Sequence, residues 1–145
     1  MTPNPIDIDV VARRLRLLSD ALGDLETLGV ISVERYAIEP LTRAAAERLL
    51  QVVVDLAIDV NAHISAALLG RAPTTGRESF SAMAEIGAIS VDLVERLGPA
   101  ASMRNILVHR YADIDPAIVI AAIPRSLTDF AEYVKNISGY LRDRH

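Results

Sequence analysis

The sequence contains no cysteine and no tryptophan, and only two phenylalanines and four tyrosines among its 145 residues. Without cysteine there is no disulfide framework, no thiolate nucleophile and no cysteine zinc site, which fits a reducing compartment. Because aromatic residues are scarce, we expect a core of Leu, Ile, Val and Ala, a composition that suits closely packed helices.

Targeting and membrane signals are also missing. The first ten residues, MTPNPIDIDV, lack the basic region and the apolar run of a secretory signal. No uninterrupted apolar stretch approaches the roughly 20 residues of a membrane span. There is no internal repeat, low-complexity segment or interdomain linker. We therefore expect one helical domain over residues 1–145, in a cytoplasmic protein that does not contact a membrane.

Charge and motif content exclude several other classes of protein. The net charge of −4 argues against a generally basic surface for nucleic acid, so RNA would have to bind in a local positive cleft. Three scattered histidines without an HExxH arrangement make a catalytic zinc site unexpected. There is no glycine-rich phosphate loop of the Walker or dinucleotide type, so we expect no metal and no cofactor.

The first half of the chain predicts two helices. Apolar residues recur at three- and four-residue steps over residues 8–28, and Gly29 then stops the helix. The stretch VISVERYAI, residues 30–38, alternates weakly, but no second strand could pair with it, so we interpret it as a connector. Pro40 opens a long helix that extends to about residue 69, where Gly70 is placed to cap it.

The second half predicts shorter helices after an exposed loop, GRAPTTGRES. One covers about residues 79–86, and another has Ser90 as its N-cap. After an interruption at Gly98-Pro99, a further helix carries residues 104–111. Asp115-Pro116 is a standard helix start, and Pro124 begins or kinks the last helix. The whole pattern predicts an all-α, antiparallel bundle of about five to six helices.

A narrow polar stripe crosses the otherwise apolar long helix. At about 100° per residue, its members fall within a third of the circumference: Arg48, Gln51, Asp55, Asp59 and His63. The stripe is either one solvated edge of the bundle or a set of groups neutralised by partners elsewhere, since a buried unpaired charge is costly. Arg104 and Arg110 are the candidate partners of the two carboxylates, whereas His63 is expected to be structural or solvated.

The segment RNILVHRY, residues 104–111, concentrates groups suited to phosphate and proton chemistry. The plainest interpretation is a solvated helix end whose cations complement the helix dipole. The alternative is a ribonuclease site, because metal-free RNA cleavage needs a proton acceptor, a proton donor and a cation for the phosphorane. Histidine exchanges protons near neutral pH and arginine grips phosphate, so His109 and Arg104 could fill these roles.

The spacing of these two residues poses a geometric problem. Positions five apart on an ideal helix are separated by about 140°, so Arg104 and His109 do not share a face. Either the helix ends irregularly near His109, or two copies of the motif meet across a symmetric dimer cleft. Asn105 lies four residues before His109 and could hold its ring.

RNILVHRY resembles the signature of the HepT-like toxins, a branch of the HEPN ribonucleases: Arg, four residues, His, one residue, Tyr. The resemblance continues through ERLLQVVVDLAIDVNAHI (47–64) and SFSAMAEIGAIS (79–90), and covers about residues 33–137. It departs at AASM, directly before Arg104, where the family is expected to have a glycine and a bulkier residue. This departure concerns helix packing more than chemistry.

The resemblance implies a HEPN-like bundle that forms a homodimer and acts as a metal-independent endoribonuclease toxin on tRNA or mRNA, leaving a 2′,3′-cyclic phosphate. It implies Arg104, His109 and Asn105 as catalytic residues, with Asp55, Asp59 and Arg110 in support. It also implies a partner, a minimal nucleotidyltransferase antitoxin that transfers adenylate to Tyr111. The alternative function is a catalytically silent helical partner of such a transferase.

Overall fold

The computed structural model describes residues 5–109 and 114–144, and over these residues the regular structure is entirely helical. This confirms the predicted all-α bundle of five to six helices. That residues 1–145 form one domain stays a prediction. The six helices are α1 (Ile8–Thr27), α2 (Val33–Ile38), α3 (Pro40–Leu69), α4 (Gly76–Glu85), α5 (Val91–His109) and α6 (Pro116–Asp143).

Several helix ends lie where the sequence placed them. Helix α3 starts at Pro40 and ends before Gly70, whose φ of 70° is the left-handed conformation that glycine adopts without strain. Ser90 Oγ accepts a hydrogen bond from the Leu93 amide at 3.0 Å, and Asp115 accepts one from the Ala117 amide at 3.0 Å. Each bond satisfies an amide that would otherwise be unpaired at the helix start.

Two segments are more helical than predicted. The interpretation of residues 30–38 as a plain connector was wrong, because Ser32 caps the short helix α2 by accepting from the Arg35 amide at 3.0 Å. Helix α4 begins at Gly76, three residues before the predicted start. Thr75 caps it by accepting from the Glu78 amide at 3.1 Å. The loop before α4 is therefore shorter than the GRAPTTGRES stretch suggested.

The two prolines do not break their helices. The predicted interruption at Gly98-Pro99 is wrong, since α5 runs through both residues, and Pro124 lies inside α6 rather than at its start. A proline inside a helix costs about 3 kcal/mol. Pro99 lies on the exposed side of α5, while Leu97 and Ala101 on either side of it are buried. Packing of the buried face thus outweighs the local propensity.

Helix α3 is the centre of the bundle, because it contacts each of the other five helices. Among the described residues it is also the one helix long and apolar enough to cross a membrane by length and composition. The sequence alone does not predict this, because Asp55 and Asp59 interrupt the apolar run. The contacts with five neighbouring helices explain the apolar composition of α3 as that of a core helix.

A buried chain of hydrogen bonds joins three helices. The Tyr133 hydroxyl on α6 donates to Asn61 Oδ1 on α3, and Asn61 Nδ2 donates to Ser79 Oγ on α4 at 3.1 Å. Ser79 Oγ in turn donates to the Gly76 carbonyl at 2.7 Å. The side chains of all three linking residues are fully buried, so each depends on its neighbour for a partner. The chain fixes the first turn of α4 against the core.

We predict that Tyr133→Phe lowers the free energy of unfolding by about 1–3 kcal/mol, because it leaves Asn61 Oδ1 buried without its donor. Burial also raises the pKa of the Tyr133 phenol. Wild-type stability should therefore fall as the pH rises above about 10, where the unfolded tyrosine ionises, and less so in the variant.

Urea titrations at several pH values measure both effects. Tyr140→Phe is the matched control, since the Tyr140 hydroxyl is bonded on the surface to Arg144. Its stability should stay within about 0.5 kcal/mol of the wild type. Equal stabilities of the Tyr133 variant and the wild type would show that the buried chain contributes nothing.

Candidate active site

The polar stripe of α3 opens towards solvent along one side of the bundle. Arg48 and Asp59 are exposed, whereas Gln51, Asp55 and His63 are half-buried. His63 Nε2 accepts a hydrogen bond from the Asp7 amide at 3.1 Å, which ties α3 to the start of α1. The expectation that His63 is structural therefore fits its contact.

Arg104 crosses from α5 to α3 and pairs with Asp55. Its Nε donates to Asp55 Oδ1 at 2.5 Å, and its Nη1 donates to Asn105 Oδ1 at 3.3 Å. The Arg104 and Asp55 side chains are 32% and 33% exposed, so solvent screens the pair and limits its contribution to stability. The pair acts mainly by fixing the direction of the guanidinium, with part of it left accessible to a ligand.

A cleft of about 480 Å³ surrounds this ion pair. It lies between α3, α5, the loop before α4 and the first turn of α4. Asp55 and Asp59 lie on one wall and Arg104 and Asn105 on the other, with Thr74, Thr75, Gly76 and Ser79 closing the end. Asp59 makes no ion pair with any residue that the structure describes. Four of the predicted site residues thus meet in one cleft.

The His109 side chain leaves α5 in a different direction from that of Arg104. It is the last residue of α5, its side chain is exposed, and it is not among the residues lining the cleft. Since α5 stays helical up to His109, the two side chains diverge by about 140°. Arg110 and Tyr111 lie outside the described residues, so their predicted roles, and that of His109, stay predictions.

Sequence reasoning missed the end wall of the cleft. A Cβ added to Gly76 would lie 3.0 Å from Ile58 Cδ1 and 3.3 Å from Ala101 Cβ. Helix α4 therefore begins in close contact with both α3 and α5, and a larger residue would push it away. The Thr-Thr-Gly run before α4 was the available signal, but it was interpreted only as part of an exposed loop.

Comparison with known sequences identifies the family. The sequence matches the family described as Ribonuclease HepT-like over residues 18–137, most of the chain. The chain belongs to the HepT-like ribonuclease family. This confirms the family predicted from RNILVHRY and the prediction of an RNA-cleaving enzyme.

Curated HepT relatives support the assignment. The chain is 33% identical over 132 residues to a protein of Aphanizomenon flos-aquae described as a tRNA nuclease HepT, with 91% of this chain and 90% of that protein covered. It is 29% identical over 90 residues to the mRNA nuclease HepT of Shewanella oneidensis, with 62% and 68% covered.

Solved structures share the HepT fold. One is a tri-AMPylated HEPN toxin of Shewanella oneidensis in complex with an MNT antitoxin, with a TM-score of 0.81, 21% identity, and 90% of this chain and 98% of that chain covered. Another is the cytosolic protein YutE of Bacillus subtilis, whose function is unknown, with a TM-score of 0.81, 15% identity, and 96% and 93% covered. At these identities the likeness shows the fold alone, and that fold is HEPN-like.

We predict that Asp55→Asn lowers RNA cleavage by about 10- to 100-fold, because a guanidinium displaced by about 1 Å loses its alignment with phosphate. The free energy of unfolding should change by less than about 1 kcal/mol, since the pair is partly exposed. Initial cleavage rates and urea midpoints give the two numbers. Asp59→Asn is the control, and it should lose less activity because Asp59 holds no described arginine. Equal losses in both variants would contradict the positioning role of Asp55.

Proposed function

We propose that this chain is a metal-independent endoribonuclease toxin, with Arg104 on the scissile phosphate and His109 as the proton-transfer group. The observation that carries the proposal is the Arg104–Asp55 pair, which directs an accessible cation into a polar cleft five residues before the only histidine of α5. Arginine stays charged and offers forked donors to a phosphorane. Histidine accepts the proton of the ribose 2′-hydroxyl as that oxygen bonds to phosphorus, and a proton returns to the 5′-oxygen as its bond to phosphorus breaks. The expected product is a 2′,3′-cyclic phosphate.

The supporting residues surround this pair. Asp55 orients Arg104, and Asn105 accepts a hydrogen bond from the same guanidinium. In this arrangement Asn105 therefore helps to position the arginine. Its expected hydrogen bond to His109 stays part of the proposal. We propose that Asp59 and Arg110 contribute to the charge of the same site. The positive charge of Arg110 would partly neutralise the carboxylates of Asp55 and Asp59.

The site is proposed to form between two copies of the chain. One α5 helix directs Arg104 and His109 about 140° apart, so one copy does not present both groups to a single phosphate. Ile106 and Val108, which lie within the motif on α5, are 47% and 39% exposed, which suits burial against a second copy. A two-fold dimer would bring two Arg104 and two His109 side chains to one cleft and double its positive charge.

The substrate and the partner follow from the relatives. Those relatives are described as nucleases of tRNA and of mRNA, and one structural neighbour is an AMPylated toxin bound to an MNT antitoxin. We therefore propose RNA as the substrate and a minimal nucleotidyltransferase as the antitoxin. A cytoplasmic location accords with both partners.

Purified protein should cleave tRNA or bulk RNA in the presence of chelator, because the proposed chemistry uses no metal. His109→Ala should lose about 100-fold or more of the rate, the usual contribution of a proton-transfer group. His63→Ala is the matched control and should stay active, because His63 contacts the α1 amide end. Cleavage abolished by chelator would contradict the mechanism. No cleavage by unmodified protein would instead favour the silent-partner alternative.

Adenylation of Tyr111 is the mechanism that we propose for inhibition of the ribonuclease by its antitoxin. Tyr111 follows His109 by two residues, so each adenylate would add a negative phosphodiester and a bulky nucleoside where the RNA phosphate binds. Co-expression with a cognate nucleotidyltransferase should add one or more adenylates to Tyr111 and abolish cleavage, as read by intact mass and activity. Tyr111→Phe should stay active and unmodified. A wild-type protein that is inhibited without any mass increase would leave steric binding as the mechanism.

A further inference from the structure

Arg77 lies against α5 beside the candidate site. It belongs to the first turn of α4, and its guanidinium covers Gly98 of α5 so closely that a Cβ there would be 2.9 Å from Nη1 and 3.0 Å from Cζ. Its Nε also donates to Ser102 Oγ at 3.3 Å. Because Gly98 has no side chain, the guanidinium packs directly on the surface of α5 at this position, which we call the seat of Arg77.

This seat is on the face of α5 that carries His109. At about 100° per residue, Gly98, Ser102, Asn105 and His109 fall within about 60° of one another. Ser102, Asn105 and His109 are all exposed, so the stripe is open to a ligand. The Arg77 guanidinium lies over Gly98 and Ser102, so its separation from His109 along the helix is about 10–16 Å. Arg104 reaches into the cleft and touches the stripe only at Asn105, whereas Arg77 lies on the stripe.

Arg77 differs from several other described arginines in its lack of an ion pair. Arg77 is exposed and makes no ion pair with the residues that the structure describes, whereas Arg35, Arg71, Arg96 and Arg104 each do. The cleft next to it holds two carboxylates and one arginine. In a chain of net charge −4, an exposed cation without a described ion pair, held on the His109 face of α5, is therefore an attractive position for an anion.

We propose that Arg77 binds a backbone phosphate of the RNA substrate, away from the scissile phosphate and on the His109 face of α5. The proposal rests on the proposed ribonuclease function. A stacked strand carries one phosphate per about 3.4 Å, so the separation of Arg77 from His109 corresponds to about three to five nucleotides. The forked donors of arginine match phosphate oxygens, so the contact reads the backbone rather than the sequence.

The test compares long and short substrates. Arg77→Gln should raise the KM for a single-stranded RNA of about twelve nucleotides by roughly tenfold, the loss of one charge-assisted contact, with kcat changed less than about twofold. The slope of log KM against log salt should fall by about 0.7, the value for one phosphate contact on a single strand. A dinucleotide substrate does not reach Arg77, so its cleavage should be unchanged.

Two further variants separate binding from folding. Arg77→Lys keeps the charge and should recover most of the salt slope. Gly98→Ala leaves the arginine in place but displaces its guanidinium, and should raise the KM for the long RNA in the same direction. Arg13→Gln is the matched control, an exposed arginine on α1 without a described ion pair, and should leave KM and slope unchanged.

Unchanged KM and salt slope in Arg77→Gln would overturn the proposal while leaving the ribonuclease function intact. Equal losses on the dinucleotide and the long RNA would also overturn it, because they indicate a structural effect. If the wild type cleaves no RNA, the proposed function fails. The phosphate contact of Arg77 is then tested by measuring the affinity of both proteins for the intact long RNA at several salt concentrations. Equal affinities and salt slopes of wild type and Arg77→Gln would reject the phosphate contact, and a weaker, less salt-dependent variant would support it.

Discussion

The geometry of one helix constrains everything proposed for this protein: α5 carries Arg104 and His109 five residues apart and therefore directs them about 140° from one another. Asp55 on α3 fixes the arginine on its own side, in a polar cleft, rather than letting it swing towards the histidine. In the proposed dimer a second copy of the chain resolves the conflict, because it would present its own histidine to that arginine. The fold would then prepare half of a site in each copy.

The rest of the bundle keeps that half-site in place. Helix α3 contacts each of the other five helices, so the carboxylate that orients Arg104 is on the central element of the fold. The buried chain from Tyr133 through Asn61 to Ser79 fixes the first turn of α4, which closes the cleft and carries Arg77. Gly76 and Gly98 allow α4 and its arginine to approach α5 closely. The packing of α4 against the core and the positions of the charged groups around the cleft therefore depend on the same few contacts.

Local signals predicted the helices, and long-range packing decided the exceptions. Pro40 and Gly70 mark the ends of α3 because their backbone preferences act within one turn. Pro99 was misinterpreted because local propensity favours a break, while buried neighbours from distant segments hold α5 together. The polar stripe indicated that Asp55 needed a cationic partner, because a charged residue is easily recognised in the sequence of an apolar helix. Arg77 escaped notice because its seat at Gly98 lies 21 residues away and only the folded chain brings them together.

The most direct test of a shared site is a mixed dimer. Arg104→Ala and His109→Ala chains, each inactive alone, would be co-expressed with different tags and purified through both tags in sequence. A cleft built from two copies retains one arginine and one histidine in this mixed dimer, so the account predicts recovery of a substantial part of the wild-type cleavage rate in chelator. A mixed dimer as inactive as either parent would contradict it, because the arginine and histidine would then have to act within one chain.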